Sequence, residues 1–128
     1  MKENKITVII DKPIDEVFEF TTNPRNTHLW IPFISEEVTD EYPPRVNTKY
    51  SNCGEGGNWS EYKVVDFQQD KVFTLLNLNE DYFVQYTYRK LDGKKTELEY
   101  YEWVTEGKLN SPFTEDILGN LKKIMEVG

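Results

Sequence analysis

The sequence predicts an α+β fold: a meander of antiparallel strands, two brief helices before it, and one amphipathic helix packed on the sheet at the end. Three observations lead there. Runs rich in β-branched and aromatic residues crowd residues 36 to 105 and are separated by gaps of only a few residues. The gaps carry turn chemistry, as in Gly54-Glu55-Gly56-Gly57-Asn58, Gln69-Asp70, Asn79-Glu80-Asp81 and Asp92-Gly93. Helical spacing of apolar residues lies on either side of this block. Gaps this short do not hold the crossover that a parallel pair needs, so neighbouring strands run antiparallel.

The elements follow in order. Lys5 to Asp11 is β-branched and reads as a strand. Pro13 suits the first turn of a helix, Asp15 and Glu16 suit its positive end, and Ile14, Val17 and Phe18 give it one apolar face. Asn23-Pro24 is a second cap-and-proline start, and Pro32 disfavours helix at Ile31, so this helix is short. Strands are predicted at Glu36 to Glu41, Thr48 to Cys53, Trp59 to Phe67, Lys71 to Leu78, Phe83 to Lys90 and Lys95 to Thr105. Ser111-Pro112 then reads as the start of the final helix, which carries Phe113, Ile117, Leu121, Ile124 and Met125 on one face. Gly119 inside that helix is expected to let its backbone approach the sheet closely. The sheet has about six to seven strands, and residues 1–128 are read as one domain.

The composition narrows the function. The chain has 128 residues, 15 basic and 23 acidic side chains, and a net charge of −8. Its mean hydropathy is low, −0.69, yet it holds 8 Tyr, 7 Phe and 3 Trp, which disordered chains lack. The acidic excess repels phosphate backbones, and basic residues never run longer than a pair, as at Lys94-Lys95 and Lys122-Lys123. Nucleic acid and membrane surfaces are therefore not expected partners. The apolar run Ile6 to Ile10 is too short for a signal-peptide core, and no stretch is long enough to span a bilayer. A single cysteine, Cys53, forms no internal disulfide. A cytoplasmic location is the expectation, and the Asn58-Trp59-Ser60 sequon then carries no meaning.

The same residues resemble a known family. Ile10-Asp11-Lys12-Pro13-Ile14-Asp15-Glu16-Val17-Phe18 is similar to the strand-to-helix entry of the START-related helix-grip superfamily (SRPBCC), in its polyketide cyclase/dehydrase-like branch. Asn23-Pro24 and Trp30-Ile31-Pro32 resemble its short second helix and the Trp-x-Pro that follows. Val46-Asn47-Thr48-Lys49-Tyr50 resembles its third strand, with Asn47 where glycine is usual, and Thr96-Glu97-Leu98 to Trp103 resembles its penultimate element. The resemblance implies a curved antiparallel sheet gripping the C-terminal helix, with a cavity between them. The final helix is short beside those of many relatives, so a shallow or partly filled cavity fits as well as a deep one.

Alternation separates the faces of the last strands. Leu98, Tyr100, Glu102 and Val104 share one face, and the more apolar character of that set places it inward. Glu97, Glu99, Tyr101 and Trp103 then point outward. In the strand before, Val84, Tyr86 and Tyr88 are placed inward. The expected cavity lining is Phe18, Trp30, Phe33, Leu76, Tyr86, Tyr88, Leu98, Tyr100 and Ile117, with Glu102 as polar anchor. Such aromatics either edge a ligand site or fill a core. A carboxyl withdrawn from water holds its proton more tightly and serves as acid, base or anchor, which makes Glu102 the sharpest catalytic candidate.

Other candidates carry less. His28 and Cys53 are the only members of their types, with no third group to make them a nucleophilic pair, and both read as structural. Too few His and Cys are present for a structural zinc, no loop signature marks a hard-cation site, and no cofactor is expected. The Gly54 to Gly57 cluster precedes a strand and is read as a hairpin turn, unlike a phosphate loop. Outward Tyr101 and Trp103 mark a surface for a protein partner or a second copy. Three functions remain in play. The first is binding of a small hydrophobic or aromatic, lipid- or polyketide-like molecule. The second is a cyclase or dehydratase-like enzyme using Glu102 and a cavity tyrosine. The third is a protein-interaction module resembling the heat-shock chaperone ATPase-activator homologues.

Overall fold

The computed structural model describes residues 2–127. Its elements run β1 (Glu3–Ile10), α1 (Ile14–Thr22), a 3-10 turn (Pro24–Asn26), α2 (Thr27–Trp30), β2 (Glu36–Thr39), β3 (Lys49–Cys53) and β4 (Trp59–Gln68). There follow β5 (Val72–Asn77), β6 (Phe83–Asp92), β7 (Lys95–Trp103) and α3 (Glu115–Val127). The seven strands form one sheet in the order β1-β7-β6-β5-β4-β3-β2, with every pair antiparallel. Strands β2 to β7 make the expected meander, and β1 pairs with β7 at the far edge.

Local chemistry accounts for most boundaries. Asn23 caps the 3-10 turn by accepting from the Arg25 amide at 3.0 Å, and α2 stops at Trp30, ahead of Pro32. Gly57 closes the β3–β4 hairpin by donating to the Gly54 carbonyl at 3.0 Å, with φ at 74°. At Gly54 a Cβ would fall 2.6 Å from the Phe33 carbonyl oxygen, so only glycine lets this turn pack on that backbone.

Two expectations for the final helix are corrected. Ser111-Pro112 does not open α3, because the Phe113 amide is drawn to the Glu102 carboxylate at 2.7 Å and holds that backbone out of the helix. Thr114 is the cap instead, with its hydroxyl accepting from the Ile117 amide at 3.3 Å. Gly119 makes no close approach to the sheet; a Cβ there would meet nothing within 4 Å.

Helix α3 is pinned along β1 at both ends. Asn4 Nδ2 donates to the Phe113 carbonyl at 2.9 Å at one end. At the other, Glu126 accepts from the Asp11 amide at 2.8 Å and Lys122 Nζ donates to the Ile9 carbonyl at 2.7 Å. Helix α1 packs on β6 and β7, and α2 bridges α3 and β2. Beneath them Ile10, Val17, Phe18, Tyr88, Leu98, Leu118 and Leu121 form the core. Each fully buried aliphatic side chain there contributes roughly 1.5–3 kcal/mol. With only 13 residues, α3 extends about 20 Å. Helix α3 thus lies along β1, and parts of the inner face of β3 to β7 open into a cavity.

Candidate ligand-binding cavity

Strand register assembles the cavity floor in rows. Tyr50, Tyr62 and Asn77 lie side by side across β3, β4 and β5. Val64, Leu75, Val84 and Glu102 form the next row, and Phe73, Tyr86 and Tyr100 the one after. All of these except Val64 and Glu102 line a cavity with a volume of about 830 Å3. Its aromatic rings touch in sequence: Tyr50 to Phe73 at 5.5 Å, Phe73 to Tyr86 at 5.8 Å, Tyr86 to Tyr100 at 5.3 Å, and Tyr100 stacked on Phe113 at 4.1 Å. Exposed Phe33, edge-on to Phe113 at 5.6 Å, stands at the mouth with Glu80, Asp81, Glu106 and Lys108.

Polar groups enter this apolar floor at defined points. Glu37 Oε1 accepts from the Thr27 hydroxyl at 2.5 Å, and Oε2 from Asn52 Nδ2 at 3.1 Å. Burial pushes the Glu37 carboxyl above the usual range, against the opposing pull of those two hydrogen bonds. The Tyr50 hydroxyl donates to the Thr22 carbonyl at 2.6 Å. Asn77 Oδ1 accepts from the amides of Asn79 and Glu80 at 2.8 and 3.0 Å and so shapes the turn into β6. Burial, ahead of neighbouring negative charge, raises Tyr50, Tyr82, Tyr86 and Tyr100 far above the ordinary phenol value. These phenols stay protonated at neutral pH and bring no negative charge to the cavity.

The expected lining divides. Phe33, Tyr86 and Tyr100 lie on the cavity wall. Phe18, Trp30, Tyr88 and Leu98 belong instead to the core under the helices, where α1, α2 and α3 close over them. Ile117 packs half-buried against that same core. Leu76 falls on the opposite face of the sheet, because β5 pairs with β6 in the register that turns Phe73 and Leu75 inward.

Glu102 lies on the inner face and is 1% exposed, but it does not reach the cavity. Its oxygens accept from Tyr82 OH at 2.6 Å, Asn4 Nδ2 at 2.9 Å and the Phe113 amide at 2.7 Å. Tyr82 and Phe113 line the wall in its place. Three donors make it a junction between chain segments. Among the described residues, the Trp30 indole N–H, also buried, finds no hydrogen-bond partner.

Cavity residues not anticipated include Tyr50, Phe73 and Leu75 on the floor and the polar Glu37, Asn52, Tyr62, Asn77 and Tyr82. Strand β2 inverts the usual alternation: Val38 is 44% exposed while Glu37 faces in. A signal was present in Asn52, Ser60 and Asn77, polar residues that share a face with Tyr50 and Tyr62.

On the outer face, Trp103 stacks on Phe83 at 4.8 Å and Tyr101 on Trp103 at 4.7 Å, with Lys5 Nζ 4.8 Å from the Tyr101 ring. His28 is exposed on α2 and Cys53 is buried at the end of β3. Among the described residues, no three His, Cys, Asp or Glu side chains are grouped to hold a metal ion. No helix there is long and apolar enough to cross a membrane.

No family model and no curated protein matches this sequence. Solved structures share its fold. XoxI from Bacillus cereus superposes with a TM-score of 0.74 at 13% identity, over 97% of this chain and 95% of its own. DynU16, a protein in the dynemicin biosynthetic locus, gives 0.72 at 18% identity over 100% of this chain; the match spans 48% of DynU16. Aha1 from Colwellia psychrerythraea, solved as a dimer, gives 0.62 at 11% identity over 99% of this chain and 90% of that one. At such identities the likeness is one of fold, and function is argued from the site.

Proposed function

We propose that this chain is a cytoplasmic member of the START-related helix-grip superfamily that binds one small apolar or aromatic molecule between its sheet and helices. The observation that carries this is the cavity of about 830 Å3, with a connected aromatic floor and a few convergent polar groups. That combination is the usual make-up of a small-molecule site, where apolar walls supply affinity and sparse polar contacts supply orientation. The free, buried Cys53 is in keeping with a reducing compartment. A structural neighbour from a biosynthetic locus accords with a small-molecule ligand.

Binding without turnover is favoured by the Tyr82–Glu102 pair. An acid–base pair needs a free proton or lone pair directed at substrate. Here the Tyr82 proton points at Glu102, and the carboxylate is occupied by two further donors. The outer aromatic ladder supports a protein partner less well, since Phe83, Trp103 and Tyr101 cover one another.

Native mass spectrometry of the protein purified from its own host tests the proposal. The expected result is a retained small molecule released on denaturation. A bare protein that also takes up no apolar probe would overturn it.

A further inference from the structure

We infer that the cavity selects a ligand with a cationic, hydrogen-bond-donating head on an apolar or aromatic body, an organic amine whose ammonium group seats on Glu37. The inference rests on the binding function proposed above and names the chemistry of the ligand.

Glu37 is the starting point. It lines the cavity, and its oxygens are held by neutral donors, the Thr27 hydroxyl at 2.5 Å and Asn52 Nδ2 at 3.1 Å. Those contacts orient the carboxylate without neutralising it. Among the described residues no Lys, Arg or His lies within ion-pair distance of it. An ionised carboxylate offers about four acceptor sites, so room remains for a donor from a ligand. A carboxylate withdrawn from water with no opposite charge is costly, and a cation brought against it relieves that cost.

The hydroxyls nearby reinforce the choice. The protons of Thr27, Tyr50 and Tyr82 are committed to Glu37, the Thr22 carbonyl and Glu102 respectively. What these three groups present to an incoming molecule is lone pairs. Tyr50 and Tyr62 sit two residues along their strands from Asn52 and Ser60, on the same face, and provide ring surfaces that attract a cation.

The approach is also selective. Glu80, Asp81 and Glu106 stand at the mouth against Lys108, on a chain of net charge −8. This field draws in cations and repels carboxylate or phosphate heads. A fatty acid or acidic polyketide would meet like charge at the mouth and again at Glu37.

The test is calorimetric titration of the full chain at neutral pH with three matched probes: 1-naphthylmethylamine, 1-naphthylmethanol and 1-naphthoic acid. The amine is expected to bind at least tenfold more tightly than the alcohol, with the acid weakest. Glu37→Gln is expected to weaken the amine at least tenfold and to abolish its advantage over the alcohol. Alcohol or acid binding as tightly as the amine would overturn the charge selection and leave cavity binding standing. An amine preference that survives in Glu37→Gln would overturn the placement on Glu37. Binding of none of the three would overturn both the selection and the cavity function. The wild-type series decides the charge question without any variant.

Discussion

Tyr82 donates its phenolic proton to Glu102 across 2.6 Å, and through that bond the turn before β6 is joined to β7. The same carboxylate accepts from Asn4 on β1 and from the Phe113 amide ahead of α3. Four segments distant in sequence thus meet on one buried side chain. A buried carboxylate is tolerable only when its lone pairs are filled in this way.

Replacing Glu102 by Ala removes the acceptor of three hydrogen bonds, from the buried Phe113 amide and from half-buried Tyr82 and Asn4. Bonds to a charged group are worth about 1.5–3 kcal/mol each and are not additive, so a loss of roughly 3–5 kcal/mol is expected. Urea denaturation measures it. A loss under about 1 kcal/mol would show that Glu102 does not hold the segments together.

Tyr82→Phe removes one of the three bonds and keeps the ring. The expected loss is about 1.5–3 kcal/mol. A double-mutant cycle with Glu102→Gln isolates the pair, and a coupling above roughly 0.5 kcal/mol is expected for residues in direct contact.

Much of the fold was legible because its determinants are local. Turn residues at Gly54–Asn58 and Asp92-Gly93 set the strand breaks, and Pro32 sets the end of α2. The start of α3 was misread because a contact 11 residues away, Glu102 to the Phe113 amide, outweighs the cap-and-proline signal at Ser111-Pro112. The expectation that Leu76 lines the cavity fails because β5, Val-Phe-Thr-Leu-Leu-Asn, is apolar on both faces and only pairing with β6 decides between Leu75 and Leu76. The cavity wall was the least legible part. Glu37 and Asn52 look like solvated edge residues until β2 and β3 are paired and set facing Thr27.

Glu37 gives a pH signature. Burial raises its pKa in the folded state. A raised value means that its contribution to stability is full below the ordinary carboxylate range and is lost as pH rises through the raised value. Glu37→Gln does not titrate. The melting temperature of the variant minus that of wild type is therefore expected to grow as pH rises from about 4 and then level off. Asp81, lowered by Thr105 and the Glu106 amide, and Glu126, lowered by Lys122 and the Asp11 amide, favour stability at higher pH in both proteins and cancel in the difference. A difference that is flat with pH would contradict the burial of Glu37.

Gly119→Ala is expected to stabilise the protein by about 0.5–1 kcal/mol. Alanine is favoured over glycine within a helix by this amount, and at this position a Cβ meets nothing. Chemical denaturation reads the gain. A loss of stability would mean that α3 packs more closely at Gly119 than the geometry shows.

The cavity itself is tested most directly by filling it. N-phenyl-1-naphthylamine, a neutral apolar fluorophore, is titrated into wild type and into Leu75→Trp, whose larger side chain occupies the floor between Val64 and Val84. The expected result is saturable binding at one site in wild type, weakened at least tenfold in the filled variant while its melting transition stays cooperative. No saturable binding to wild type, or equal binding to both proteins, would contradict a ligand site between the sheet and the helices.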